Sequence, residues 1–247
     1  MTTELSKPKG HGLVRVAHNL RVHALRPQDW GTFPATDYWA NWADLTFADA
    51  AASDLVANGW FTSGFSHTAA SGADFLSSSD VGTTGGLDFD AVSDYCISPA
   101  IFGDYPHALL VGQILGHMPT SLNMECYARF NADGGDDEDT GFGFVEAGAA
   151  TPFVKAGLMA LITSDGTNFS LESGAAAAAS DSLDNTTAHQ FKVKCEGTTA
   201  TWWIDGVQQS NTLALQADVW PARWGAGTKA ATGANDPVVS WVHIWYE

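Results

Sequence analysis

The stretch from Thr199 to Gln209 constrains the fold more than any other: Thr-Ala-Thr-Trp-Trp-Ile, then Asp205-Gly206, then Val-Gln-Gln. Asp-Gly supplies the two positive-φ positions of a tight hairpin turn, so a strand runs to Ile204 and Val207 starts the return. In a strand, neighbouring side chains point to opposite faces. Adjacent Trp202 and Trp203 therefore place one ring in a core and the other on a second surface. Leu122–Phe130 extends the same logic, with Leu122, Met124, Cys126, Ala128 and Phe130 on one side and Asn123, Glu125, Tyr127 and Arg129 on the other. Strands are also expected at 87–97, 107–116, 141–146, 154–163, 168–172, 189–195, 207–209 and 238–246. Asp133-Gly134-Gly135 and Ser164-Asp165-Gly166 add further turn signals. Many short strands with little helical pattern between them predict an all-β, antiparallel sandwich and argue against a parallel α/β fold.

The first 28 residues read differently. Residues 13–25 place Val14, Val16, Leu20 and Val22 opposite Arg15, Asn19, Arg21 and His23, an extended arm or strand that Pro27 ends. Lys7, Lys9, Arg15, Arg21 and Arg26 face Glu4 alone, so this arm carries +4, and the other 6 basic and 27 acidic residues give the body −21, for a total of −17. A basic arm on an acidic body is drawn to acidic surfaces, whereas the body repels nucleic acid. A solvated basic tail is the competing reading. The expected organisation is an arm over 1–28 and one sandwich over 29–247. Within the latter, 50–59 suits a short helix, 62–86 a loop with short strands, and the alanines of 175–179 an exposed small-residue loop.

Ten Trp and thirteen Phe with only 16% charged residues demand burial, which excludes disorder throughout. No apolar run reaches the roughly 18 residues of a membrane-spanning helix, and Met1–Gly10 lacks a signal-peptide core. Cys96, Cys126 and Cys195 are odd in number, far apart and set in apolar segments, so they read as buried thiols of a protein made in a reducing cytoplasm.

Five segments together resemble the concanavalin A-like, laminin G-like jelly-roll superfamily: Gly-Phe-Gly-Phe-Val-Glu at 141–146, Leu-Ile-Thr-Ser-Asp-Gly at 161–166, His-Gln-Phe-Lys-Val-Lys-Cys at 189–195, Thr-Trp-Trp-Ile-Asp-Gly-Val at 201–207 and Trp-Val-His-Ile-Trp-Tyr at 241–246. The resemblance covers about half the chain. It implies an antiparallel jelly-roll β-sandwich, a scaffold that hosts lectins, glycosidases, lyases and purely structural modules. The Asp-Gly hairpin with a nearby Ser-Asp-Gly is also similar to sandwiches of bacteriophage tail, fibre and capsid-surface proteins. That likeness implies assembly in a bacterial cytoplasm onto a virion, with a homo-oligomer as the family expectation.

Catalytic motifs are absent. The Glu-x-Asp-x-x-Glu strand that sets a nucleophile and an acid on one face of a glucan hydrolase of this fold is missing. Asp88, Asp90 and Asp94 alternate without a Glu in a loop-like context and read as solvated edge residues. Phe153-Val-Lys-Ala-Gly157 and Gln113-Ile-Leu-Gly-His117 resemble two strands of polysaccharide lyases. No Arg lies between Arg26 and Arg129, however, and Leu158-Met159 follows where the lyase tyrosine is expected. The histidines have neither metal-binding spacing nor a Cys pair and read as structural or surface groups. Asp133, Asp136, Asp137 and Asp139 are the candidate metal ligands, crowded enough for Ca²⁺, with a solvated acidic hairpin tip as the alternative; no other cofactor is implied.

Arg15, Arg21, Arg26, Trp30, Trp39 and Trp42 combine the residue types that dominate protein interfaces and are the candidate partner-binding residues. The expected role is thus a non-catalytic virion structural protein, not an enzyme, that docks through its arm on a major capsid or tail protein. No nucleic acid or membrane partner is expected. The alternative is a lectin-like module that binds host-surface glycan; a lyase or glycosidase ranks last.

Overall fold

The computed structural model describes residues 28–29, 37–41, 66–68, 76–77, 86–89, 95–98, 116–117, 119–130, 140–146, 158–164, 168–173, 176–179, 187–215, 222–228 and 237–247. Every regular element among them is a β-strand, and every pairing is antiparallel. One sheet runs β1 (Gln28–Asp29), β2 (Asp37–Asn41), β17 (Pro237–Tyr246), β7 (Ser121–Phe130), β12 (His189–Glu196), β13 (Thr199–Ile204) and β14 (Val207–Gln208). It has ten strands: β15 (Leu213–Ala214) joins β13, β5 (Leu87–Asp88) joins β17, and β4 (Leu76–Ser77) joins β5. The seven-stranded sheet runs β11 (Ala176–Ala179), β10 (Phe169–Ser173), β9 (Leu158–Ser164), β8 (Thr140–Glu146), β16 (Ala222–Thr228), β6 (Tyr95–Ile97) and β3 (Ser66–Thr68). The two sheets form a jelly-roll sandwich in which β7 takes its neighbours from distant parts of the chain, β12 and β17.

Alternation decides what faces inward. Leu122, Met124, Cys126, Ala128 and Phe130 of β7, Phe191, Val193 and Cys195 of β12, and Ala200, Trp202 and Ile204 of β13 are buried in one core with Phe142, Phe144, Ala160, Ile162, Phe169, Leu171 and Trp224 of the other sheet. Four phenyl rings join the sheets. Phe130 packs on Phe142 at 5.5 Å and on Phe169 at 5.9 Å, and Phe191 meets Phe142 edge-on at 5.3 Å and Phe169 at 5.0 Å. Such offset and edge-to-face pairs add attraction beyond the area they bury.

The Gly-Phe-Gly-Phe run has a steric reason. Phe142 and Phe144 fill the core, while a Cβ on Gly141 would collide with the carbonyl oxygen of Ile162 and one on Gly143 with that of Ala160, both on β9. Their φ values of 155° and 152° also disfavour other residues. In β17 the register shifts between Val239 and Trp241, so Ser240 is bulged. That extra residue lets both Val239 and Val242 face the core and keeps Ile244 and Tyr246 in phase.

Most expected strands form, with ends moved by a few residues, but the stretch expected as one strand at 87–97 is two, β5 in the ten-stranded sheet and β6 in the seven-stranded one. The alanines at 176–179 are not a loop: they form β11, the edge of the seven-stranded sheet, paired with β10 from Ser170↔Ala179 to Ser173↔Ala176. The backbone pairing is satisfied whatever the side chain, so low strand preference did not prevent it. Asp88 likewise lies in a short strand, β5, paired with β17. Strand β16, which no sequence signal marked, sits between β8 and β6. The expected strand at 107–116, apart from Gly116, the arm strand at 13–25 and the helix at 50–59 lie outside the described residues.

All three cysteines are free and buried. Burial pushes the Cys195 thiol up to about 12 and raises those of Cys96 and Cys126 as well, through the cost of placing a thiolate in an apolar core. Two outcomes follow. Gly143→Ala lowers unfolding free energy by about 2 kcal/mol or more in a urea titration, since β8 must shift away from β9. The native chain does not react with an Ellman-type disulfide reagent, whereas the denatured chain titrates three thiols. Unfolded thiols ionise around 9.0 and folded ones do not, so the unfolded state releases protons first and stability under reducing conditions falls as pH rises past that value.

Candidate functional site

The residues of the ten-stranded sheet that do not face the core form a cross-strand row on its outer face. Trp203 of β13 lies opposite Lys192 of β12, Lys192 opposite Glu125 of β7, Glu125 opposite His243 of β17, and His243 opposite Trp39 of β2. The Lys192 Nζ sits over the Trp203 ring at 5.2 Å and the Trp245 ring at 5.7 Å, and His243 stacks on Trp245 at 4.6 Å. The ammonium is attracted by the negative faces of both indoles. Gln190 Nε2 donates to Glu125 Oε1, and Lys194 Nζ pairs with Glu196 at 3.3 Å.

Burial varies along this face: Asn123 of β7 and His243 and Trp245 of β17 are buried, Glu125, Tyr127 and Arg129 of β7, Trp241 of β17 and Lys192, Lys194 and Trp203 of β12 and β13 are half-buried, and Gln190 is exposed. Lys192, Lys194 and Arg129 share the outer face by alternation, which gathers cations on a strongly acidic molecule. Half-exposed indole, ammonium, carboxylate and carboxamide in adjoining rows make a surface suited to recognition: the ring offers apolar area, and the polar heads offer hydrogen bonds.

A second constellation lies where β12 begins and β13 ends. Asp205 at φ 52° and Gly206 at 81° form the turn after β13. The Asp205 carboxylate returns to β12, where Oδ1 accepts the Gln190 backbone N–H at 2.9 Å and Oδ2 lies 2.6 Å from His189 Nδ1. The Asp205 N–H donates to the Gln190 carbonyl at 2.8 Å, so the same residue is held at both ends. His189 Nε2 lies 3.1 Å from Thr187 Oγ1. An ionised carboxylate only accepts, so in the neutral ring Nδ1 carries the proton and Nε2 accepts from the Thr187 hydroxyl. The imidazole is wedged edge-on against Phe169 at 5.5 Å and Phe191 at 6.1 Å. Thr187 and Asp205 are exposed while His189 is buried.

Of the sequence-derived candidates, Trp39 lies on β2 with its backbone opposite His243. Arg15, Arg21, Arg26, Trp30 and Trp42, and the acidic group Asp133, Asp136, Asp137 and Asp139, lie outside the described residues. Among the described residues no cluster of three or more His, Cys, Asp or Glu could hold a metal ion. The outer row was missed because alternation reveals a face but not which strands adjoin. The Thr187–His189–Asp205 group was missed because the histidines were read against each other, whereas the partner of His189 is the turn residue sixteen positions on.

No protein-family model matches the chain, and no curated protein matches it. Among solved structures it is similar to Trypanosoma rangeli sialidase over 65% of its length, at 13% identity and a TM-score of 0.45, and it spans only 25% of that protein. It is similar to the Emp47p carbohydrate recognition domain over 75% of its length and 89% of that domain, at 11% identity and a TM-score of 0.45. A carbohydrate esterase from the Shiga toxin-encoding bacteriophage phi24B is matched over 79% of this chain and 94% of that one, at 12% identity and a TM-score of 0.46. None of these likenesses transfers a residue or an activity.

The two adjacent tryptophans separate core from surface. Trp202 is fully buried and donates from Nε1 to the Asn211 carbonyl at 3.0 Å, so Trp202→Ala costs about 3–5 kcal/mol of stability. Trp203→Ala removes half-buried area and one ammonium contact and costs about 1 kcal/mol. Urea titrations of the two variants check this difference.

Proposed function

We propose that the chain is a virion structural protein, a capsid-decoration or tail-surface sandwich that docks on a larger protein assembly through its N-terminal segment. The observation that carries this reading is the place where that segment enters the fold. Its last residue, Gln28, belongs to β1, the edge strand of the ten-stranded sheet, so residues 1–27 join the sandwich at a sheet rim. A rim strand has backbone groups that a partner can pair with. The segment's +4 charge against the body's −21 draws it to an acidic lattice while the body is held off. In this reading Arg15, Arg21 and Arg26 fix the register on a major capsid or tail protein, and Trp30, Trp39 and Trp42 supply apolar area. The buried free thiols suit assembly in a bacterial cytoplasm. The role needs no turnover of polysaccharide, in keeping with the missing carboxylate and arginine motifs.

A second reading, lectin-like adhesion to host-surface glycan, is favoured by the outer face of β12 and β13, where Trp203 offers an indole beside Lys192 and the Gln190–Glu125 pair. The two readings are compatible, because they use different parts of the sheet.

Particles lacking this protein bind the full chain, and the chain without residues 1–28 stays folded and fails to attach in a sedimentation assay. Attachment of the truncated chain overturns the docking assignment. On a glycan array the second reading predicts hits that Trp203→Ala loses; silence of the full chain removes it.

A further inference from the structure

Thr187, His189 and Asp205 stand in the order hydroxyl, imidazole, carboxylate, with 3.1 Å from Thr187 Oγ1 to Nε2 and 2.6 Å from Nδ1 to Asp205 Oδ2. We infer that Thr187 is an activated nucleophile that takes an acyl group from a small activated carboxylic ester, with His189 as general base and Asp205 as the group that fixes its tautomer and orientation. The inference goes beyond the docking role and is independent of it, adding an activity to a chain whose motifs carry no polysaccharide-cleaving signature.

Three features build the site. Asp205 is doubly anchored to Gln190: its Oδ1 accepts the Gln190 backbone N–H, and its own backbone N–H donates to the Gln190 carbonyl, which holds the carboxylate beside the ring. Its backbone is in the left-handed region at φ 52°, which a non-glycine residue adopts at some cost and which aims the side chain back over β12. The imidazole packs edge-on against both Phe169 and Phe191, with Nε2 directed at the threonine hydroxyl. Rotamer, tautomer and partner are thus set before any substrate arrives, which is the arrangement that makes a hydroxyl nucleophilic. Thr187 is exposed, so an ester can reach it, while His189 is largely shielded from water.

The step balances without a cofactor. Thr187 Oγ1 forms a bond to the ester carbonyl carbon while its proton passes to His189 Nε2. The tetrahedral adduct then collapses, the bond to the leaving oxygen breaks, and the imidazolium proton goes to that oxygen to release an alcohol. Water, deprotonated by the same imidazole, cleaves the acyl-threonine to a carboxylic acid and restores the hydroxyl.

The test uses the full chain with p-nitrophenyl acetate, following p-nitrophenolate release and mapping acetylated peptides by mass. The expected result is a stoichiometric burst with the acetyl group on Thr187. Thr187→Ala abolishes the adduct and Thr187→Ser retains it. Asp205→Asn, which keeps the turn because Asn tolerates positive φ, slows acylation about 100-fold, as does His189→Asn. Because His189→Asn can disturb the phenyl packing, the Asp205 and Thr187 variants decide the matter. Acetylation confined to lysines, a burst undiminished in Thr187→Ala, or an Asp205→Asn rate equal to that of the unaltered chain overturns the inference.

Discussion

The contact of four phenyl rings between the sheets is what the remaining structure depends on. Phe130 and Phe191 come from the ten-stranded sheet and Phe142 and Phe169 from the seven-stranded one, and each touches at least two of the others' rings. Sheets are apolar on one face and must bury it, but burial alone does not fix how one sheet sits on another. Interlocking rings fix it, because aromatic pairs favour particular offsets and angles and because a close-packed core resists sliding. Phe142 and Phe144 alternate on β8 with Gly141 and Gly143, whose positive φ would aim a Cβ at a carbonyl oxygen of the paired strand β9.

The same cluster reaches the surface through His189. Its ring is the next member of the aromatic group, edge-on to Phe169 and Phe191, and its polar edge binds Asp205 and Thr187. Core packing therefore sets the orientation of a polar group at the hairpin, which lets a short turn hold a hydroxyl, an imidazole and a carboxylate in line. The outer face obeys a different logic. Lys192 bridges Trp203 and Trp245 from across the sheet, and its cationic head lies among aromatic faces instead of pairing with its register neighbour Glu125, which takes Gln190.

How far the sequence revealed this varied with the physics of each element. Strands β7, β12 and β13 were legible because one face is apolar and the other polar, and the Asp205-Gly206 turn was legible because few residue pairs accept its backbone angles. Alternation alone required one of Trp202 and Trp203 to be buried and the other to face outward, and the structure buries Trp202 and leaves Trp203 half-buried. Strand β16 was hidden: Ala-Arg-Trp-Gly-Ala-Gly-Thr is small and glycine-rich, and it is held by pairing on both edges to β6 and β8. The alanines of β11 were hidden for the same reason, since alanine contributes little to a strand surface and the ladder with β10 does the selecting. The bulge at Ser240 broke the period in β17, so Val239 and Val242 both face inward where strict alternation would separate them. Neither candidate constellation was legible, because each depends on strand pairing and register. His189 and Asp205 meet through the pairing of the consecutive strands β12 and β13, and Trp203 and Trp245 through the register of β13, β12, β7 and β17.

The N-terminal segment thus joins the sandwich at one rim of the ten-stranded sheet, while Lys192, Lys194 and Trp203 stand half-buried on the outer face of β12 and β13. The central claim is that attachment to a larger assembly works through that rim. The most direct measurement is amide hydrogen exchange of the full chain, free and bound to particles that lack it. The account predicts that docking slows exchange across residues 1–28 and in β1 and β2, and leaves β12, β13 and the hairpin at Asp205 unchanged. Slowed exchange confined to β12 and β13, with residues 1–28 exchanging as in the free chain, contradicts it and assigns attachment to the outer face of those strands instead.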